Sequence, residues 1–174
     1  MAETDSGFRL LQDTIADTQR AAELLGLEDK MIRFIIKPRR SDHFTLYVPL
    51  DNGDVDILDG WRCKHKTLSG EYRGGFLFHP NASEEMITAK SMLMTWKQAL
   101  VGPDEHERIH YGGAKGGVRC NIDKYSLNEQ DRFINDLVKQ LDPIIGPGWD
   151  ELGPDLKFYD YLIAWFYKYY KERH

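Results

Sequence analysis

A chain of 174 residues, 41% hydrophobic and 29% charged, can bury one ordinary core and is not composed like a disordered segment. Its formal net charge of -5 excludes the broad cationic face that nucleic acid requires. Two cysteines, Cys63 and Cys120, make no disulfide framework, and no segment approaches the roughly 20 apolar residues of a membrane helix.

Residues 1–6 are acidic and polar and carry no signal-peptide pattern, so a cytoplasmic setting with reduced thiols is expected. Phe8, Leu11, Ile15, Ala22 and Leu25 then recur at helical spacing, with Gly26 placed to end the helix. A second, shorter apolar run at 31–36 stops before Pro38, and the basic run Lys37 to Arg40 reads as a solvated turn. Phe44, Leu46, Val48 and Leu50 alternate as a strand does. Asn52-Gly53 supplies a tight hairpin turn, and 55–65 is the return strand.

From Ser83, a plausible N-cap, the pattern is helical to Val101. Its two apolar stripes, Met86-Leu93-Leu100 and Ile87-Met94-Val101, predict a largely buried helix. Short strands follow. Ser126 and Glu129 form a capping box ahead of a helix carrying Phe133, Ile134, Leu137, Val138 and Leu141. Pro143, Gly146, Pro147 and Gly148 break the chain before a last helix with Phe158, Leu162, Trp165, Phe166 and Tyr169. The expected fold is α/β: a single three-layer-like domain over 1–174, with a mixed β-sheet flanked by helices, a helical lead-in at 7–36 and a core at 43–170.

Chemistry concentrates in four places. Gly112-Gly113-Ala114-Lys115-Gly116-Gly117 surrounds a lysine with glycine, which lets backbone pass close to a ligand and aims an amine into a cleft. By itself such a segment is as well explained by a flexible turn, and it is not a phosphate-binding P-loop. Lys97 projects from an apolar helical stripe, either as a fixed cation for a carboxylate or as a lysine reaching to solvent. Arg73 precedes Gly74-Gly75 on a glycine-flanked turn and could grip a second carboxylate, or could be an ordinary surface arginine. Asp155, after Gly153-Pro154, is an acid in a rigid turn, or the N-cap of the last helix. Three cations and one acid on four segments suit a small anionic ligand. Cys63, His65 and His79 match no common zinc spacing, so no metal site is expected.

Met94-Thr95-Trp96-Lys97 followed by the 112–117 segment resembles the paired signature of the glutamate/leucine/phenylalanine/valine dehydrogenases. Tyr72-Arg73-Gly74-Gly75 through Phe78-His79-Pro80, Ile145-Gly146-Pro147 and Pro154-Asp155 resemble further landmarks of that family in the same order. The resemblance runs from about residue 30 to 165 and implies the reversible oxidative deamination of an amino acid to its 2-oxo acid with NAD(P). It implies that Lys115 is the catalytic lysine, that Asp155 handles proton transfer, and that Lys97 binds the α-carboxylate beside Met94 and Gly74. Arg73 stands where glutamate-specific members carry a lysine, which implies an acidic amino acid or 2-oxo acid.

The chain departs from the pattern at several points: Arg73 replaces a lysine, Leu77 stands where the family usually has arginine, and Leu156-Lys157-Phe158 replaces the small and polar residues that usually follow the acid. Fourteen residues separate Lys97 from Gly112, more than the family uses, and no G-x-G-x-x-G occurs for a nucleotide-binding domain. The expectation is therefore a homo-oligomeric substrate-binding and assembly domain that binds no cofactor itself. Hydride transfer would need NAD(P) on a separate Rossmann-type unit or a full-length dehydrogenase partner. The alternative is a stand-alone acid-binding or assembly pseudoenzyme.

Overall fold

The computed structural model describes residues 4–102 and 110–174; the start of the acidic N-terminus and most of the extra length between Lys97 and Gly112 lie outside them. Five helices, α1 (Thr4–Leu24), α2 (Asp29–Ile36), α3 (Glu84–Val101), α4 (Leu127–Leu141) and α5 (Asp160–Arg173), accompany five strands. The strands are β1 (Arg40–Pro49), β2 (Val55–Lys64), β3 (Tyr72–His79), β4 (Gly112–Arg119) and β5 (Asp150–Pro154). They form one mixed sheet in the order β1-β2-β4-β3-β5. β1 and β2 are the Asn-Gly hairpin, β2 and β4 run antiparallel, and β3 runs parallel to both β4 and β5. Among the described residues no helix is long and apolar enough to cross a membrane.

Strand alternation explains the layering, because successive side chains leave a strand on opposite faces. Phe44, Leu46 and Val48 of β1 join Phe76 and Phe78 of β3 on one face, where α4 and α5 cover them with Phe133, Ile134, Leu137, Leu141, Leu162 and Phe166. Trp61 and Cys63 of β2 and Leu77 of β3 face the other way, toward Ile87 of α3. α1 packs across α3 as an outer layer. The C-terminal aromatic cluster largely belongs to this domain's own core: Phe166 is buried, Trp165, Tyr169 and Tyr170 pack against it, and Tyr167 is exposed.

The caps form as their residue types require. Ser83 accepts a hydrogen bond from the Met86 N–H, the Ser126–Glu129 capping box is complete, and Gly26 takes a positive φ of 67° after α1. Four expectations change. The glycine-rich segment is strand β4 rather than a turn, and Arg73-Gly74-Gly75 lies inside β3. Asp155 is no N-cap, because α5 starts at Asp160 behind Tyr159. Nor is α3 buried along both stripes: Ile87, Ala89, Ser91 and Met92 are enclosed, but Leu93, Leu100 and Val101 are exposed. Only the sheet-facing arc and the α1-facing arc have anything to pack on.

A buried ionic cluster holds the sheet's centre. Arg62 is fully enclosed and reaches under β4 to Asp150, with Nε donating to Oδ2 at 3.0 Å and Nη2 donating to Oδ1. Its remaining N–H groups point at the carbonyls of Gly74, Gly75 and Glu151 at 3.3–3.4 Å. Lys64 lies 3.4 Å from the same Asp150 carboxylate, donates to the Ile144 carbonyl and sits 4.0 Å over the Trp149 ring. Removing one partner of such a pair strands a charge away from water, at a cost of about 3–5 kcal/mol. Asp150→Asn is expected to lose that much stability in urea denaturation; a loss below about 1 kcal/mol would show that the cluster is not needed for the fold.

Candidate functional site

The same alternation gathers the chemistry. Arg73 and Gly75 on β3, Lys115 on β4, and Glu151 and Gly153 on β5, with Asp155 just beyond it, occupy alternate positions that share the α3 side of the sheet. Lys115 Nζ forms an ion pair with Asp155 Oδ2, and both groups are partly enclosed, with 14% and 34% of their side-chain surfaces exposed. Gly75 is the floor beneath them. A Cβ there would lie 2.9 Å from Asp155 Cβ and 3.1 Å from Lys115 Nζ, so a side chain would force the pair apart. Beside it in register is Gly153, whose Cβ position meets nothing within 4 Å among the described residues.

The glycines of β4 admit the protein itself rather than a ligand. A Cβ at Gly113 would strike the backbone of Thr95 and Ser91 in α3, and one at Gly116 would strike the Phe76 ring and crowd Arg62. Gly74 abuts the Ala114 carbonyl in the same way. Thr95 completes the junction: its hydroxyl accepts from the Gly113 N–H at 3.2 Å and lies 3.0 Å from His65 Nδ1. Burial holds the His65 imidazole down at about 4, so it is neutral at physiological pH. Burial likewise pushes the Cys63 thiol up and the Cys120 thiol to about 12, which leaves neither as a nucleophile.

Arg73 is paired within the chain. Its Nε and Nη2 both lie 2.7 Å from Glu151 Oε2, and its guanidinium stacks 3.7 Å from the centre of the Tyr111 ring. Met94 and Lys97 stand on α3. Lys97 is exposed, and no described contact joins it to the Lys115–Asp155 pair. Lys90, seven residues earlier and so on the same helical stripe about 10 Å away, is the α3 lysine whose charge reaches Asp155. Sequence reasoning missed both Lys90 and Glu151. The stripe spacing from Lys97 and the alternation back from Asp155 were the available signals.

Burial raises the Asp155 carboxyl, but the hydrogen bond and charge of Lys115, with the Leu156 N–H and Lys90, outweigh it and leave the group below the usual carboxylate range. A depressed carboxylate favours the folded state above its unfolded value near 3.9, and that contribution disappears as pH falls through the folded value. NMR titration of Asp155 should therefore give a midpoint below that of a free aspartate, and Lys115→Ala should raise it because the burial remains while the largest lowering partner is gone. An unchanged midpoint in the variant would show that the pair does not exist in solution.

The family model described as "Glu/Leu/Phe/Val dehydrogenase, dimerisation domain" matches residues 38–172. The chain is 33% identical over 162 residues to glutamate dehydrogenase A2 of Halobacterium salinarum, spanning 93% of this chain and 37% of that protein. It is also 33% identical over 156 residues to the glutamate dehydrogenase of Aeropyrum pernix, spanning 90% of this chain and 36% of that one. Among solved structures, glutamate dehydrogenase from Peptoniphilus asaccharolyticus superposes with a TM-score of 0.85 at 27% identity, covering 94% of this chain and 40% of that chain. The hetero-hexameric glutamate dehydrogenase of Thermus thermophilus, in a leucine-bound form, superposes with a TM-score of 0.83 at 27% identity, covering 94% and 38%. The chain thus spans a little over a third of the length of these relatives.

Proposed function

This chain belongs to the Glu/Leu/Phe/Val dehydrogenase family through its dimerisation domain, and from that premise we propose that it is an amino-acid or 2-oxo-acid binding and oligomerisation domain. The observation that carries the reading is the Lys115–Asp155 pair set over the bare floor of Gly75. An ammonium and a carboxylate in contact can hold or relay one proton beside a bound carbonyl or amine. The lysine stripe of α3, Lys90 and exposed Lys97 beside Met94, supplies charge for an α-carboxylate, and the open space over Gly153 leaves room for a side chain. The two free thiols suit a cytoplasmic protein.

The described residues do not fit a dinucleotide. A pyrophosphate needs glycines at a helix N-terminus, whereas these glycines lie within β4 and their side-chain space is filled by α3, Phe76, Arg62 and Leu77. The first turn of α3 is acidic, and Glu129 closes the N-terminus of α4. Any hydride transfer would therefore depend on a nucleotide-binding unit beyond this domain. Purified chain is expected to show no NAD(P)-dependent glutamate oxidation, and measurable turnover with no second protein present would overturn that expectation.

Binding has its own test. An acid that occupies the site at a hundred times its Kd should stabilise the fold by about 2.7 kcal/mol, read as a rise in melting temperature. Lys115→Ala should abolish the rise, and Lys90→Ala and Lys97→Ala should reduce it. A second reading, a purely assembling domain, is favoured by one observation, the exposure of Lys97 away from the paired residues. A flat thermal response to every amino and 2-oxo acid tried, in a chain that sediments as an oligomer, would decide for it.

A further inference from the structure

We propose that Glu151 sets the ligand class by occupying Arg73, so that the site takes an acid with an uncharged side chain rather than a dicarboxylate. The inference rests on the acid-binding reading above and sharpens it. Arg73 and Glu151 are register partners on the parallel pair β3 and β5, two residues before the register partners Gly75 and Gly153. Both side chains therefore leave the sheet on the face where Lys115 meets Asp155. Two ion pairs bracket a floor of glycine.

The geometry of the first pair is that of a filled carboxylate site. Two N–H groups of the guanidinium fork converge on Glu151 Oε2 at 2.7 Å. The Tyr111 hydroxyl lies 3.5 Å from the other oxygen, Oε1, and the Tyr111 ring backs the guanidinium at 3.7 Å. A ligand's distal carboxylate seeking the edge of Arg73 that Glu151 holds would have to displace Glu151, which would then stand beside it as a like charge. Selection against one ligand by a resident repulsive group needs no new contact to the favoured one. A neutral side chain carries no charge to oppose Glu151, and among the described residues nothing lies within 4 Å of a Cβ placed at Gly153. Both partners of the pair have 37% of their side-chain surface exposed, so it adds little to stability, and its removal should leave the fold intact.

Titration calorimetry with two five-carbon acids, 2-oxopentanoate and 2-oxoglutarate, isolates the distal carboxylate. The unaltered chain should bind 2-oxopentanoate at least as tightly as 2-oxoglutarate. Glu151→Gln should tighten 2-oxoglutarate at least fivefold while moving 2-oxopentanoate less than twofold, and adding Arg73→Met should cancel the gain. If the unaltered chain prefers 2-oxoglutarate fivefold or more, or if Glu151→Gln leaves the ratio unchanged, Glu151 is not the determinant and acid binding itself still stands. If neither acid binds to the unaltered chain or to Glu151→Gln, and Lys115→Ala behaves identically, the acid-binding reading fails and takes this inference with it.

Discussion

The fully buried contact between Arg62 and Asp150 is the constraint on which the rest of the structure depends. It joins β2 to β5 across two intervening strands, and its spare N–H groups hold the carbonyls of Gly74, Gly75 and Glu151. Two of them, Gly75 and Glu151, form the floor and wall of the candidate site on the opposite face of the sheet. Charge desolvated on one face thus fixes backbone positions on the other. Burial pushes the Lys64 ammonium below its ordinary range against the pull of Asp150, so the cluster shares one carboxylate between two cations and satisfies the remaining donors with carbonyls.

That contact explains why β4 is nearly without side chains. Gly116 leaves room for the Phe76 ring and eases the passage of Arg62 beneath β4, and α3 can approach from above because Gly113 has no Cβ. Four glycines in eight residues are unfavourable for a strand taken alone, since glycine loses the most backbone entropy and contributes no packing. Here neighbours on both faces compensate: Phe76 and Arg62 below, Ser91 and Thr95 above. Lys115 is the single long side chain that this crowded strand projects from its central stretch, and it meets Asp155 over Gly75.

The site face carries two compensated pairs rather than an excess of cations. Among the described residues Lys115 pairs with Asp155 and Arg73 with Glu151, and α3 adds the positive charge of Lys90 and Lys97. An anion drawn to this cleft would therefore be steered by the helix and received by the sheet. The division places the lysines of the helix nearer solvent and the Lys115–Asp155 ion pair in the more enclosed position, where interactions are screened less.

By itself the sequence determined what local rules decide. Alternation in Phe44-Leu46-Val48, the Asn52-Gly53 turn, the Ser83 cap and the Ser126–Glu129 capping box each fold as their residues require within a few positions. The co-linear motifs also identified the family and singled out Lys115 and Asp155. Only the tertiary structure decided whether glycines around a lysine make a loop or a strand, because that depends on α3 and Arg62 arriving from elsewhere in the chain. It likewise decided that the apolar stripes of α3 end in solvent, that Asp155 feels the charge of Lys90, and that Arg73 already holds Glu151. Each of these joins residues far apart in sequence, and a pattern of local spacings carries no information about which distant group will fill the space a side chain faces.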